Sequence, residues 1–298
     1  MKKVMRVYLI VLIVLFVLLS FLDGRGVYTL EKKVWKLQKN YYELAKDPQA
    51  VSSRTFNDLI EKCQYVIDSH GDSPLSRGVM IMVGQIYELT KDFDLARKMY
   101  NDIFEKYKDN DEFSAEAKFL IGKTYESNGE WSTAEALLRD VSLNYMLTAV
   151  GMDIPIYIAR YYRQNNDYQK TLDAYAEALA HYKSIISSNP DSFAELSAMR
   201  LLAKCYFEQN RWKEAIESLG DILHKYGTSS YLSLNDADVI IKTINGVSAF
   251  KLKDVDVAID LYKGLIADDP KRPLSVYLQQ MIDGFQQLKE EDDKKSTE

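Results

Sequence analysis

Four residues recur five times along this chain at fixed distances. A small residue is followed by tyrosine three positions on, by a second small residue twelve positions from the first, and by a large apolar residue four beyond that. The sets are Gly84-Tyr87-Ala96-Tyr100, Gly122-Tyr125-Ala134-Leu138, Ala159-Tyr162-Thr171-Tyr175, Ala203-Tyr206-Ala215-Leu219 and Gly246-Ala249-Ala258-Tyr262, the last with alanine in the tyrosine place. Such self-similarity marks a tandem array of like structural units, each burying its apolar face against the next. The units start 38, 37, 44 and 43 residues apart while the internal twelve stays constant. All variation in length therefore falls outside the repeated core. An array of this kind implies a surface that binds rather than a pocket that reacts.

Each unit reads as helix A, a tight turn, helix B and a loop. The turns fall at Lys91-Asp92, Asn128-Gly129-Glu130, Asn165-Asn166-Asp167, Asn210-Arg211 and Lys253-Asp254, turn-favouring residues between two amphipathic stretches. The small residue belongs where helix A crosses helix B closely, and the tyrosine and later apolar residue fill the space beside that crossing. The third unit has a long helix B, about Tyr168 to Ser187, and the fourth a long connection from Gly227 to Asn235. With only 6 Pro and 13 Gly, the composition argues against a β-rich or disordered chain.

Ahead of the array, Leu30, Val34, Leu37, Tyr41 and Leu44 recur at alternating four- and three-residue steps. This predicts a helix from Tyr28 to about Lys46, too short to be read as a sustained coiled coil. A second helix is expected from about Ser52 to Ser69, with Phe56, Leu59, Cys63, Val66 and Ile67 on one face. After the array, Pro273 opens a helix with Leu274, Tyr277, Met281, Phe285 and Leu288 on one side, a cap for the open end of the stack. The domain reading is thus an anchor and hinge over 1–27, a helical pair over 28–74, five repeats over 75–270, a capping helix over 271–289 and a disordered charged tail over 290–298.

The anchor is read from Lys2, Lys3 and Arg6 followed by an uncharged run from Val7 to Leu22. Those 16 residues span roughly 24 Å as helix against a hydrocarbon core of about 30 Å, and Val4 and Met5 extend the reach. A transmembrane segment over about 4–22 is therefore expected. A cleaved signal peptide is the competing reading, but no Ala-x-Ala cleavage site is present and Gly24-Arg25-Gly26 is the best candidate. Positive charges flank both ends, so the positive-inside count does not orient the segment. The short basic start places the body outside the cytoplasm, in a periplasm.

The pattern resembles the tetratricopeptide repeat. His70-Gly71-Asp72-Ser73-Pro74 leading into Gly84-x-x-Tyr87 is similar to the phrasing of repeat proteins of the bacterial cell envelope. The tryptophan of the family pattern is missing, and its closing proline is kept clearly only at Pro270. The resemblance covers about two thirds of the chain. It implies an all-α, right-handed solenoid with a concave groove lined by the A helices, and no enzymatic activity.

No phosphate loop, paired-cysteine motif or histidine spacing suited to a metal is present, so neither cofactor nor metal is expected. Cys63 and Cys205 read as buried apolar residues, and His70 and His224 as last-turn residues beside a C-terminal glycine. Ser248-Ala249-Phe250-Lys251 matches a Ser-x-x-Lys element without its companion motifs. Asp109-Asn110-Asp111 starts like a calcium loop but lacks the glycine and distal glutamate.

Counting from the small residue of each repeat, the groove-facing positions of the A helices are Ile81, Gln85, Glu88; Phe119, Lys123, Glu126; Ile156, Arg160, Arg163; Arg200, Lys204, Phe207; and Thr243, Val247, Phe250. Lys123, Arg160, Arg163, Arg200 and Lys204 gather in the middle of a chain of net charge −6, with Phe119 and Phe207 as apolar anchors. Such a patch suits an acidic peptide or a terminal carboxylate, whereas the acidic balance argues against nucleic acid. The expectation is a membrane-anchored scaffold holding another protein. The alternative is an accessory or chaperone-like subunit of a translocation or outer-membrane assembly machine. The oligomeric state is not legible. Charge reversal at Arg160 and Arg163 is expected to weaken binding without touching the fold.

Overall fold

The computed structural model describes residues 27–71, 73–271 and 273–297. The expected transmembrane segment and most of the hinge lie outside the described residues. Among these, no helix is long and apolar enough to cross a membrane, and no strand occurs. The described residues form thirteen α-helices, in order: α1 Val27–Ala45, α2 Ser53–Ser69, α3 Pro74–Leu89, α4 Phe93–Lys106, α5 Asp111–Ser127, α6 Trp131–Asn144, α7 Ala149–Gln164, α8 Tyr168–Ser188, α9 Phe193–Glu208, α10 Trp212–Tyr226, α11 Leu234–Val247, α12 Asp256–Asp268 and α13 Pro273–Thr297. The A helices are α3, α5, α7, α9 and α11, and the B helices are α4, α6, α8, α10 and α12. The final helix runs on through the charged segment from Glu290 for which a tail was expected.

The chain forms two compact units, one ending at Val150 and the other beginning at Gly151. In the first, Leu30, Val34 and Leu37 of α1 pack with Phe56, Leu59, Cys63 and Val66 of α2 and with Val79, Val83 and Ile86 of α3. The two leading helices thereby cover the first repeat. In the second unit, Leu274, Leu278, Ile282 and Phe285 of α13 close the core made by α9 to α12. Of the stripe read off its sequence, Leu274 and Phe285 are buried, Tyr277 and Met281 pack half-buried against the core, and Leu288 is exposed, while Leu278 and Ile282 complete the buried face. The polar contacts of Tyr277 with Asp238, 2.8 Å, and of Met281 with Asn245, 3.3 Å, are side contacts at the edge of that core.

Side-chain caps start four of the A helices. Ser73, Asn110, Ser192 and Ser233 each accept a hydrogen bond from a backbone N–H in the first turn of α3, α5, α9 and α11. This satisfies donors that have no partner inside the helix. Asn110 thus has a structural role that accounts for the Asp109-Asn110-Asp111 sequence.

The A-to-B turns share one geometry. The seventh residue after each leading small residue has a positive φ: Lys91, Gly129, Asn166, Asn210 and Lys253, between +54° and +82°. In the first four repeats the next residue donates its N–H to the carbonyl five positions back, as in Asp92 to Tyr87 at 2.8 Å and Arg211 to Tyr206 at 2.9 Å. The positive-φ residue itself bonds three back, as in Lys91 to Glu88 at 3.0 Å. This is a Schellman closure, which consumes the carbonyls left open at a helix end. Only one of the five positions is glycine, and a left-handed conformation costs an L-residue about 1–2 kcal/mol. Lys91→Gly should therefore raise the unfolding free energy by about 1 kcal/mol, read from the urea midpoint. An unchanged midpoint would show that the turn holds no such strain.

The repeated spacing has a direct physical cause. A Cβ placed on Gly84 would lie 2.2 Å from Cε1 of Tyr100, and one on Gly122 would lie 3.2 Å from Cδ2 of Leu138. The first and fourth residues of the motif are the two sides of one close helix crossing. Ala96, Tyr100, Ala134, Leu138 and Ala215 of the first, second and fourth repeats are fully buried. The fifth repeat departs from this. Around a Cβ on Gly246 nothing lies within 4 Å, so the expected tight crossing is absent. Its helix A widens into a π turn over Ser248–Leu252, and Asp254 N–H reaches six residues back to the Ser248 carbonyl at 2.9 Å.

Candidate functional site

Five of the seven residues expected to form the binding patch lie in the second unit: Arg160 and Arg163 on α7, and Arg200, Lys204 and Phe207 on α9. Phe119 and Lys123 lie on α5 of the first unit. Both are half-buried, and Lys123 Nζ bonds Glu126 Oε2 at 2.8 Å within its own helix.

In the second unit, the arginines converge on Glu208, in the last turn of α9. Arg160 Nε lies 2.9 and 3.0 Å from the two carboxylate oxygens, and its Nη2 bonds Oε1 as well. Arg163 Nη1 donates to the Glu208 backbone carbonyl at 3.2 Å, and its Nη2 is 3.4 Å from Oε2. The Tyr175 hydroxyl, from α8, donates to Oε2 at 2.7 Å. One carboxylate therefore ties three helices. Burial alone would raise the Glu208 pKa, but the hydrogen bonds from Arg160 and Tyr175 and the two guanidinium charges outweigh it, and the group is held below its usual range. Arg160 moves up in turn, chiefly through its hydrogen bond to Glu208.

The other two cations are held more loosely. Arg200 Nη2 is 3.6 Å from Asp236 Oδ2 at the start of α11, and Lys204 Nζ is 4.0 Å from Asp153 Oδ1 on α7. Both acids are half-exposed or more, so these pairs add little to stability. Four cations thus face three carboxylates, so most of the charge of this cluster is neutralised. The sequence reading overstated its charge because the neutralising acids sit at register positions it did not follow. Glu208 lies five residues after Ala203, whereas the inspected positions lay three before, one after and four after. The signal was available: a carboxylate in the last turn of a helix, unfavourable against the helix dipole unless a cation compensates it.

Three further groove assignments are corrected. Ile156 and Val247 are buried, inside the helix packing rather than on a face. Phe207 is half-buried against the core and packs on Trp212 at 6.3 Å between ring centroids. Phe250, by contrast, is 80% exposed. It occupies the same repeat position as Arg163 and Phe207, on the π turn, where Lys251 Nζ sits 5.4 Å from the Trp212 ring. The Ser248 of the Ser-x-x-Lys element has its hydroxyl buried and unbonded within that turn. Among the described residues no group of three or more His, Cys, Asp or Glu is placed to hold a metal ion. His224 lies in the last turn of α10 as expected, whereas His70 is the cap residue just past the end of α2.

The helical hairpins and their buried small-residue crossings define an all-α helical-repeat protein. Residues 153–223 match the Tetratricopeptide repeat family. Repeats of this family generally mediate protein–protein interaction. No curated protein sequence matches the chain. Among solved structures, it is similar to BtubC (BKLC) from P. vanneervenii, with 13% identity over 79% of this chain and 89% of that one and a TM-score of 0.40. It is similar to the TPR2AB-domain:pHSP90 complex of yeast Sti1, with 13% identity, coverage of 86% and 98% and a TM-score of 0.33. A tetratricopeptide repeat protein from Parabacteroides merdae matches at 11% identity, with coverage of 84% and 99% and a TM-score of 0.33.

Proposed function

We propose that this protein is a non-enzymatic scaffold, anchored in a bacterial envelope membrane by its N-terminal apolar run, that holds a partner protein on the A-helix face of its second unit. The repeat body stands in the periplasm on this reading. The observation that supports it most is Phe250, a large aromatic side chain left exposed at a repeat position read as partner-facing, in the same unit as the weakly paired cations Arg200 and Lys204. An exposed aromatic anchor beside cations that can exchange partners is the composition that gives affinity and orientation to a peptide carrying an apolar and an acidic residue.

The geometry also decides how to test it. Reversing Arg160 and Arg163 would set two new carboxylates against Glu208, so a loss of binding there would be confounded by damage to the packing of α7 on α9. Arg200→Glu with Lys204→Glu, and separately Phe250→Ala, avoid this. The full-length chain, solubilised in detergent and immobilised, is exposed to detergent-solubilised envelope. A single protein retained by the wild type, and reduced about tenfold by either variant at unchanged helical content, is the expected result. Equal retention by all three forms sinks the assignment of this face. A broad mixture of unfolded clients retained equally points to the chaperone-like subunit instead.

A further inference from the structure

The outward face of α1 carries an unusual pattern. Its inward face is fully used, with Leu30, Val34 and Leu37 buried against α2 and α3. On the opposite side Tyr28, Trp35 and Tyr42 recur every seven residues, and all three are exposed. Lys32 and Lys39 interleave with them at the same spacing, and Lys36 lies alongside. Two acidic residues border that face: Glu43, paired with Lys46 at 2.8 Å, and the exposed Glu31, four residues before Trp35. Among the described residues, Lys32, Lys36 and Lys39 make no ion pair, in contrast to the four cations of the second unit. Lys39 rests its ammonium 5.7 Å from the Trp35 ring, on the same helix face.

Beside this stripe, α1 and α2 form an open cleft of about 320 Å³ lined by Leu37 and Val66, with Lys33, Lys36, Asn40, Lys62 and Tyr65 around it. Its lining is mainly apolar, its charged residues are all lysine, and Lys33 sits 5.7 Å from the exposed Tyr65 ring. An apolar slot among ammonium groups is matched by a molecule with acyl chains and an anionic head.

We propose that the outward face of α1, with the lysine-rimmed cleft beside it, lies against an anionic phospholipid surface. Tyrosine and tryptophan favour the boundary between water and hydrocarbon, because each has an apolar body and a polar tip. Interleaved lysines extend past them to lipid phosphates. Position along the chain agrees. The uncharged run ends at Leu22, five residues before α1 begins at Val27, a reach of at most about 18 Å. A membrane holding that run therefore holds the start of α1 within about 18 Å of its surface. The inference rests on the anchoring reading for this proximity, and the test separates the two.

Full-length protein is reconstituted into vesicles of phosphatidylcholine alone and of phosphatidylcholine with phosphatidylglycerol, each with lipids brominated along the acyl chain. Flotation reads anchoring, and quenching of the Trp35 emission, assigned by difference from Trp35→Phe, reads contact of α1 with lipid. Flotation with both lipids and about twofold stronger Trp35 quenching in the anionic vesicles, abolished by Lys32→Glu, Lys36→Glu and Lys39→Glu together, is the expected result. Flotation with both but no quenching in either overturns the proposal and leaves the anchor standing. Flotation with anionic vesicles alone, lost in the triple variant, supports the α1 face and sinks the anchor. Flotation with neither overturns both. A Trp35 shielded from aqueous iodide as protein concentration rises, and not quenched by lipid, shows a second copy on this face and overturns the proposal.

Discussion

Gly84→Ala should destabilise the first unit by about 3 kcal/mol, a large loss for adding one methyl group. The new Cβ would meet Tyr100 Cε1 at 2.2 Å and Cζ at 2.5 Å. Tyr100 cannot retreat, because its ring is fully buried and its hydroxyl donates to Glu88 Oε1 at 2.6 Å. The helices must separate, and the packing on both sides is lost with them. The same substitution at Gly246, in the equivalent repeat position, should have the opposite sign. Nothing lies near the added methyl, so Gly246→Ala gains the helix preference of alanine, about 0.5–1 kcal/mol. Urea unfolding of the two variants beside the wild type checks both. A Gly84→Ala protein as stable as the parent would show that the repeat spacing has another cause than close approach.

Removing the Glu208 side chain should cost about 2 kcal/mol at neutral pH. It leaves Tyr175 without its acceptor and two guanidinium groups without a counter-charge, losses worth more than a neutral hydrogen bond. The figure stays below that of a fully buried pair because Arg160 and Arg163 are about two-fifths exposed and partly solvated. The pH dependence follows from the depressed pKa. A carboxyl whose folded value lies below its ordinary 4.5 contributes stability above that value and loses it as pH falls through the folded value. Glu195, also held low, acts in the same direction: burial raises it, but Lys225, Tyr226 and the Asp191 N–H together lower it. The difference between wild type and Glu208→Gln, taken from chemical denaturation at several pH values, should therefore shrink once pH drops below 4.5. A constant difference down to pH 3 would mean that the ionised carboxylate is not what holds α7, α8 and α9 together.

The repeat spacing made the fold readable because each of its residues has one geometric job. Gly84 and Tyr100 are two sides of a single contact, and Lys91 and Asn210 mark turns that must go left-handed. Boundaries followed closely, as at Ser52, which caps the helix it was expected to open. The site was less legible. Arg160 meets a carboxylate 48 residues away, and nothing in a repeat pattern states which positions of successive A helices will pair. Gly246 obeys the pattern in sequence and escapes it in space because the π turn widens its helix. Phe207 and Phe250 share a repeat position, yet only the second is well exposed, since Trp212 covers the first.

The two cysteines, finally, make this chain its own reporter of local opening. Cys63 belongs to the first unit and Cys205 to the second; both thiols are free, wholly buried, and pushed up to about 12 by that burial. A thiol reagent reaches either one only when the helices around it part. With Cys63→Ser and Cys205→Ser in turn, the labelling rate of the remaining cysteine clocks the breathing of one unit at a time, with no foreign probe. If a partner clamps the second unit alone, Cys205 slows while Cys63 keeps its pace.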